Sequence, residues 1–335
     1  MVSLGVHVGQ QGASMADLRS LWRRLDQGGA DWISVWDHLY EAPPAGGTVD
    51  HFEGIATLGA LAADTSRARI GCLVFCVLYR NPALLAKAAT TLDHISGGRF
   101  ELGLGAGWHD QEAEAYGFDF PPVARRLDML EEALPLIRGL LTEERTTFTG
   151  SHYRTVDASC LPAPVQDRLP IWIGGTGEKR TLRLAARHAD GWNASYVGAD
   201  RYRELNGVAD RWCETEGRDP ATLRRGVNLI FAVTTDGRGI EEVVRDQGFG
   251  EAAPYLAPGA LGGGPDEVTA RVLEYVAAGA DEINVALRPP WDNASIDAYL
   301  ELLPQIREAA SVRGTRHNVG SDTAASSAPE PRGDR

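Results

Sequence analysis

Four stretches of this sequence carry groups suited to chemistry. The first is SVWDH, ending in Asp37 and His38. An imidazole titrates near neutrality, so His38 at the end of a buried strand can give or take a proton. Asp37 beside it orients the chain or caps the turn; alternatively, both residues simply satisfy loop backbone. The second is GLGAGWHDQE, from Gly103 to Glu112. Gly103, Gly105 and Gly107 let backbone approach a flat ring or a phosphate closely. Trp108 can stack on such a ring or cover the site, and Glu112 and His109 stand in reserve as acid or base. No helix opens inside these glycines, so this is not a dinucleotide fingerprint. The third, IWIGGTGEKRTLRLAARHADGW, passes from a strand through Gly174, Gly175, Thr176 and Gly177 into a helix expected from Glu178. Free N–H groups at such a junction bind phosphate. Lys179, Arg180, Arg183 and Arg187 follow, most of them facing solvent. The fourth is Arg288-Pro289-Pro290-Trp291, a substrate-side wall or a capping loop.

Short apolar runs that read as buried parallel strands precede these stretches: Leu4–Val8, Trp32–Trp36, Ile70–Cys76, Phe100–Leu104, Ile171–Ile173, Gly191–Ala194, Val227–Val233 and Glu282–Val285. Amphipathic runs alternate with them: Met15–Gln27, Ile55–Asp64, Pro82–Ile95, Ala124–Leu141, Glu178–His188, Arg201–Glu216, Pro265–Ala278 and Ile296–Ala309. Eight βα units close naturally into a (β/α)8 TIM barrel, an α/β fold; an open doubly wound sheet is the alternative. Asn81-Pro82 signals a capped helix start, and Gly97-Gly98 a helix stop. Long insertion loops are expected over 40–50, 106–122 and 146–167, the last with a hairpin in TFTGSHYRTVD. Such loops after barrel strands are where sites are built. Residues 1–310 form one domain, and 311–335, rich in Ser, Ala, Pro, Gly and charge, form a disordered tail.

Composition excludes several functions. The chain has 335 residues and a formal net charge of -13, which argues against general nucleic-acid binding. Its four cysteines show no paired metal-ligand spacing and read as buried thiols, so no metal is expected. No signal peptide or membrane-length apolar run is visible, and a cytoplasmic protein is expected.

These stretches, with YRNPALLAKAATTLDHISGGRFELGLGAGWHDQEAEAYGFDF and RLDMLEEALPLIRGLL, resemble the luciferase-like monooxygenase superfamily over residues 2–310. The chain is most similar to its F420-dependent oxidoreductase branch. The resemblance implies a bacterial-luciferase-like barrel, coenzyme F420 as hydride carrier, a small-molecule substrate and a homodimer. An FMN-dependent monooxygenase served by a separate reductase is the alternative, and a non-catalytic flavin-binding barrel the second. It also implies site roles. His38 is the acid/base with Asp37 beside it. The segment from Cys72 to Val74 holds a cis peptide, at Leu73–Val74, that supports the ring. Gly105, Ala106 and Gly107 meet the cofactor through backbone, with Trp108 and Cys76 adjoining. Gly174, Gly175, Thr176 and Gly177 hold its phosphate. The pattern departs from the sugar-phosphate dehydrogenases of the branch: Trp108 stands where they carry an acid, and Glu41-Ala42 where they carry an aromatic. A threonine common in the third strand is Phe75 or Cys76 here.

Overall fold

The structure, a computed structural model, describes residues 2–41 and 46–321. In chain order its first elements are β1 (Ser3–Val8), α1 (Met15–Gln27), β2 (Trp32–Val35), α2 (Gly54–Asp64), β3 (Arg69–Cys76), α3 (Pro82–Ser96) and β4 (Phe100–Gly105). Then come α4 (Asp110–Ala115), α5 (Val123–Thr142), β5 (Thr146–Thr149), β6 (Arg154–Ala158), β7 (Ile171–Gly174), α6 (Thr181–His188) and β8 (Gly191–Ser195). The rest is α7 (Ala199–Thr215), β9 (Arg224–Val233), α8 (Ile240–Val244), α9 (Ala253–Leu256), β10 (Ala260–Gly263), α10 (Pro265–Ala277), β11 (Glu282–Leu287) and α11 (Asn293–Ser321).

Strands β1, β2, β3, β4, β7, β8, β9 and β11 form a closed parallel barrel, with β11 returning to β1 and β8 pairing β9. This is the (β/α)8 fold expected, and β5–β6 is the expected hairpin. Several boundaries differ, and one strand is added. Helix α6 begins at Thr181 rather than Glu178, because 178–180 form a turn first. An extra strand, β10, extends the sheet beside the far end of β9, behind short helices that carry no clear period in the sequence. Helix α11 spans Asn293–Ser321, and 322–335 lie outside the described residues. So do 42–45 of the first long loop.

Outward-facing Leu4, Val6, Ile33, Val35 and Ile70 pack against the helices in one continuous core. Inside the barrel, Trp32 and Trp172 meet edge to face at 6.0 Å, with Leu73 against them. Beneath them the N-terminal strand ends are closed by charge. Buried Glu101 takes Arg69, the Trp172 indole N–H, and Arg224 at 2.9 Å. Removing Glu101 would leave Arg69 without a carboxylate and Arg224 with Glu282 alone, the situation that makes breaking a buried ion pair expensive. The floor is therefore sealed, and the barrel opens only where its strands end.

Candidate active site

At the open end, β2 gives way to Trp36, Asp37 and His38. The His38 Nδ1 lies 2.6 Å from Glu112 Oε1. That oxygen also accepts from the Tyr79 hydroxyl at 2.7 Å. Glu112 Oε2 accepts the N–H groups of Leu39 and Tyr40 at 2.7 and 3.0 Å. Four donors thus fill the acceptor capacity of one buried carboxylate. Burial alone would raise its pKa, but the His38 hydrogen bond and charge, with the Tyr40 and Tyr79 bonds, hold it down at about 2. Glu112 is therefore ionised at neutral pH and can only accept. The His38 proton must sit on Nδ1, which leaves Nε2 for the mouth, on a side chain 15% exposed. Local sequence explains the placement. The Asn81 side chain caps α3 through the Ala83 N–H at 2.8 Å, with Pro82 in the first turn, and so fixes the Tyr79-Arg80 turn just before it.

An aromatic wall stands beside His38. The Trp108 ring lies 5.2 Å from it, edge to face, and is 59% exposed. His109 stacks against Trp108 at 4.9 Å and is buried. Its Nε2 has no hydrogen-bond partner among the described residues, and such buried polar atoms are seldom left unmet.

Asp37 is turned to other work. Its Oδ2 accepts Arg80 Nη1 at 2.7 Å and the Cys76 N–H at 2.9 Å. Burial pushes this carboxyl up, and Arg80 opposes that. Among the described residues it has no hydrogen bond to the His38 ring. Instead it ties β2 to the end of β3.

Strand β3 carries the predicted irregularity. Its register with β4 shifts between Cys72 and Phe75, and Leu73–Val74 is a cis peptide bond. This changes the reading of the glycines. A Cβ at Gly105 would lie 2.5 Å from Val74 Cγ2, one at Gly174 2.8 Å from Val74 Cγ1, and one at Gly103 2.1 Å from the Cys72 carbonyl. These glycines admit the chain's own bulge before they admit anything else. Gly107, at φ +77°, turns the chain toward Trp108, where a Cβ would meet Cys76 Sγ at 2.7 Å.

The anion site expected over 174–177 needs correction at Gly175. Its N–H donates to the Asn193 carbonyl at 3.0 Å, continuing the β7–β8 pairing, and its carbonyl accepts the Trp192 indole at 2.7 Å. Gly175 is a structural turn at φ +126°. The N–H groups of Thr176 and Gly177 have no acceptor among the described residues and lie exposed. The arginines nearby are engaged: Arg180 with Asp128 and Glu131, Arg183 with Glu216, and Arg187 with both glutamates.

On the far rim, Gln10 clamps Trp36, donating to its carbonyl at 2.7 Å and accepting its N–H at 3.3 Å. Below, His7 is buried, with Nδ1 2.8 Å from Ser34 Oγ. Arg288 sits over the Trp36 ring at 5.7 Å, beside a cavity of about 480 Å³ between β9 and β11. Sequence reasoning assigned no role to Gln10, Tyr79, Arg80 or Tyr196. The one signal was the polar turn YRNP, wedged between a strand and a capped helix. All four cysteines are free and buried as expected, and the described residues hold no cluster suited to a metal. No described helix is long and apolar enough to cross a membrane.

The chain is similar to an uncharacterised protein of Mycobacterium tuberculosis, 35% identical over 163 residues, 49% of this chain and 56% of that protein. The chain thus spans little over half the length of the curated relatives it matches first. It is 28% identical to the F420-dependent glucose-6-phosphate dehydrogenase of Beutenbergia cavernae, over 92% of this chain and 98% of that one. Among solved structures it matches an F420-dependent secondary alcohol dehydrogenase in complex with an F420-acetone adduct, with TM-score 0.81, 20% identity, and 91% and 99% of the two chains covered. It also matches a type II Baeyer-Villiger monooxygenase from Pseudomonas putida in complex with FMN, with TM-score 0.71, 18% identity, and 90% and 97% covered. Both likenesses are of fold. Residues 1–257 match luciferase-like monooxygenase, and the chain belongs to that family.

Proposed function

We propose that this protein is an oxidoreductase using coenzyme F420 for hydride transfer to or from a small organic substrate. The observation that carries it is the His38–Glu112 pair. A buried carboxylate with all its acceptor sites filled fixes one imidazole tautomer and leaves Nε2 at the barrel mouth, where (β/α)8 enzymes do chemistry. The surroundings suit a flat anionic cofactor. Val74 is a half-buried ridge on the inner wall, the His109 Nε2 has an unmet hydrogen bond, and the Thr176 and Gly177 amides are open to an anion. Leu73, Val74, Cys76 and Gly105–Trp108 would flank the ring, and 174–177 its phosphate, through Thr176 and Gly177.

When bound, F420 supplies two electrons as hydride. His38 Nε2 takes or gives the accompanying proton at the substrate heteroatom, Glu112 holds the imidazole in that tautomer, and Trp108 screens the site from water. The relatives named for F420 favour it over FMN. Glucose-6-phosphate is not the substrate we propose: Trp108 replaces the acid of those enzymes, and Glu41 is buried and occupied by the N–H groups of Gly47, Thr48 and Val49. The four free thiols fit a reducing, cytoplasmic setting, and by resemblance the working unit is a homodimer.

The test is a fluorescence titration of the purified chain with F420 and with FMN, then turnover of enones and quinones with reduced F420. Tight F420 binding with turnover is expected. Binding of FMN alone, with oxygen consumption when it is supplied reduced, would replace this reading with the monooxygenase. Binding of neither would leave a non-catalytic barrel.

A further inference from the structure

Arg288, directly after β11, is a cation without an anion. Its guanidinium lies 4.2 Å from the centre of the Phe249 ring and 5.7 Å from that of Trp36. It interacts with the Tyr196 phenol. No carboxylate forms an ion pair with it among the described residues, although the adjoining cavity has two carboxylates in its wall. Asp246 is 3.0 Å from Arg238, and Asp292 caps α11, accepting from Ser295 Oγ at 2.6 Å. The rest of the 480 Å³ cavity has an apolar side, with Phe231, Val233, Val243, Leu287 and Trp291, and a polar one with Thr234, Gln247 and Arg238, which is paired with Asp236 and Asp246.

Tyr196 is held there under strain. It follows β8 at φ +57°, a left-handed conformation that a bulky residue seldom adopts and that is found where structure enforces it. Two contacts enforce it. Its N–H donates to the Asn228 carbonyl at 2.8 Å, and Gly259 packs so close that a Cβ there would lie 2.3 Å from the Tyr196 carbonyl. Burial also lowers the Arg288 pKa, against the phenol beside it. This half-buried guanidinium, against the Phe249 ring and beside the Tyr196 phenol, lines the cavity with no carboxylate of its own among the described residues.

We propose that this cavity is the substrate pocket and that it takes an organic carboxylate, with Arg288 and Tyr196 holding the charged head and the apolar wall holding the body. This rests on the oxidoreductase reading and deepens it. The Trp36 indole is a neighbour of both Arg288 and His38, its ring 5.7 Å from Arg288 and 6.3 Å from His38. A molecule anchored at Arg288 can lie along that indole and present its other end to His38. One guanidinium and one phenol match a single negative charge, and the planar fork suits a carboxylate. A phosphate monoester carries up to about two charges and would keep part of one unpaired beside the apolar wall.

The test is calorimetric titration of the full chain, with and without saturating F420, using aryl and medium-chain carboxylates, their primary amides and the matching phosphate monoesters. At least one carboxylate should bind about 10- to 100-fold tighter than its amide, the scale of one charged hydrogen bond. Arg288→Met should erase that difference, Tyr196→Phe should reduce it, and F420 affinity should not change in either. A circular dichroism melt checks that the variants fold, and Arg288→Lys serves if the methionine variant does not. Equal binding of acids and amides, preference for the phosphate, or loss of F420 affinity in Arg288→Met would each overturn the proposal. Carboxylate binding that depends on Arg288 in a chain that binds no F420 would overturn the cofactor reading and leave the pocket standing.

Discussion

The His38 ring and the Glu112 carboxylate meet at 2.6 Å across 74 residues of sequence, and the other acceptor positions of Glu112 are taken by the Leu39 and Tyr40 N–H groups and the Tyr79 hydroxyl. Glu112 therefore positions the imidazole and has no lone pair to spare for a substrate proton. His38→Ala should retain the fold and cofactor affinity and lose at least ~10²-fold in kcat, the scale of general acid–base catalysis. Glu112→Gln should lose about 10- to 100-fold, as seen when a group that orients a functional imidazole is removed, with KM changed less than kcat. Steady-state kinetics at saturating reduced F420 decides this. Full activity of His38→Ala would move the acid/base role to His109.

Asp37 behaves oppositely, because its partners are Arg80 and the Cys76 N–H. Asp37→Ala leaves a mostly buried guanidinium with only Glu53, and removes the tie between β2 and β3. A loss of about 3 kcal/mol or more is expected, as for a broken buried ion pair, read from urea unfolding. Asp37→Asn keeps an acceptor and should lose less. An Asp37→Ala protein as stable as wild type yet inactive would give Asp37 a role in the chemistry after all.

These two neighbours show where the sequence was legible. The strand SVW and its exit into DH were plain from apolar continuity, and so was the barrel, because eight such exits alternate with amphipathic helices. What adjacency could not reveal is that successive residues at a strand end face different directions. Asp37 turns to β3 while His38 turns to α4. The same limit applies to Gly105 and Gly174, whose role depends on Val74, a residue distant from both in sequence. It applies again to Gly175, whose amide is consumed by a strand that follows it. The segment 240–263 was illegible for another reason: its helices are too short to show a 3.6-residue period.

Val74 and Gly105 should be coupled. A Cβ at Gly105 falls 2.5 Å from Val74 Cγ2, so Gly105→Ala overpacks the wall by about 1–3 kcal/mol. Val74→Ala removes the methyl groups it strikes. The double variant should be more stable than the two single losses predict, with a coupling of about 0.5–3 kcal/mol by urea unfolding. Strict additivity would mean that Gly105 is needed for something other than the bulge of β3.

The last prediction concerns acid. His7 is buried on β1; burial first, then the charges of His38 and Arg288, lower its pKa to about 3. His51 is lowered to about 4, again chiefly by burial. In the unfolded chain both titrate near 6.5. Between those values and 6.5 the unfolded chain binds protons that the native state refuses, so stability rises with pH through the window and is complete above it. Glu112 adds to this at lower pH: with a native value of about 2, its contribution is present above the ordinary glutamate range and lost as pH falls toward 2. Each of these histidines should therefore lower stability on acidification below 6.5 by up to about 1.4 kcal/mol per pH unit, partly offset by Glu282, which burial and Glu101 raise to about 7 and which gains stability as pH falls through that value. His7→Asn, which can keep a hydrogen bond to Ser34 and does not titrate, should lower stability near pH 7 but flatten the slope between pH 6.5 and 4. Thermal melts of both proteins across that range are the measurement. Parallel curves would show that His7 does not resist protonation in the folded chain, and would shift the acid sensitivity to His51.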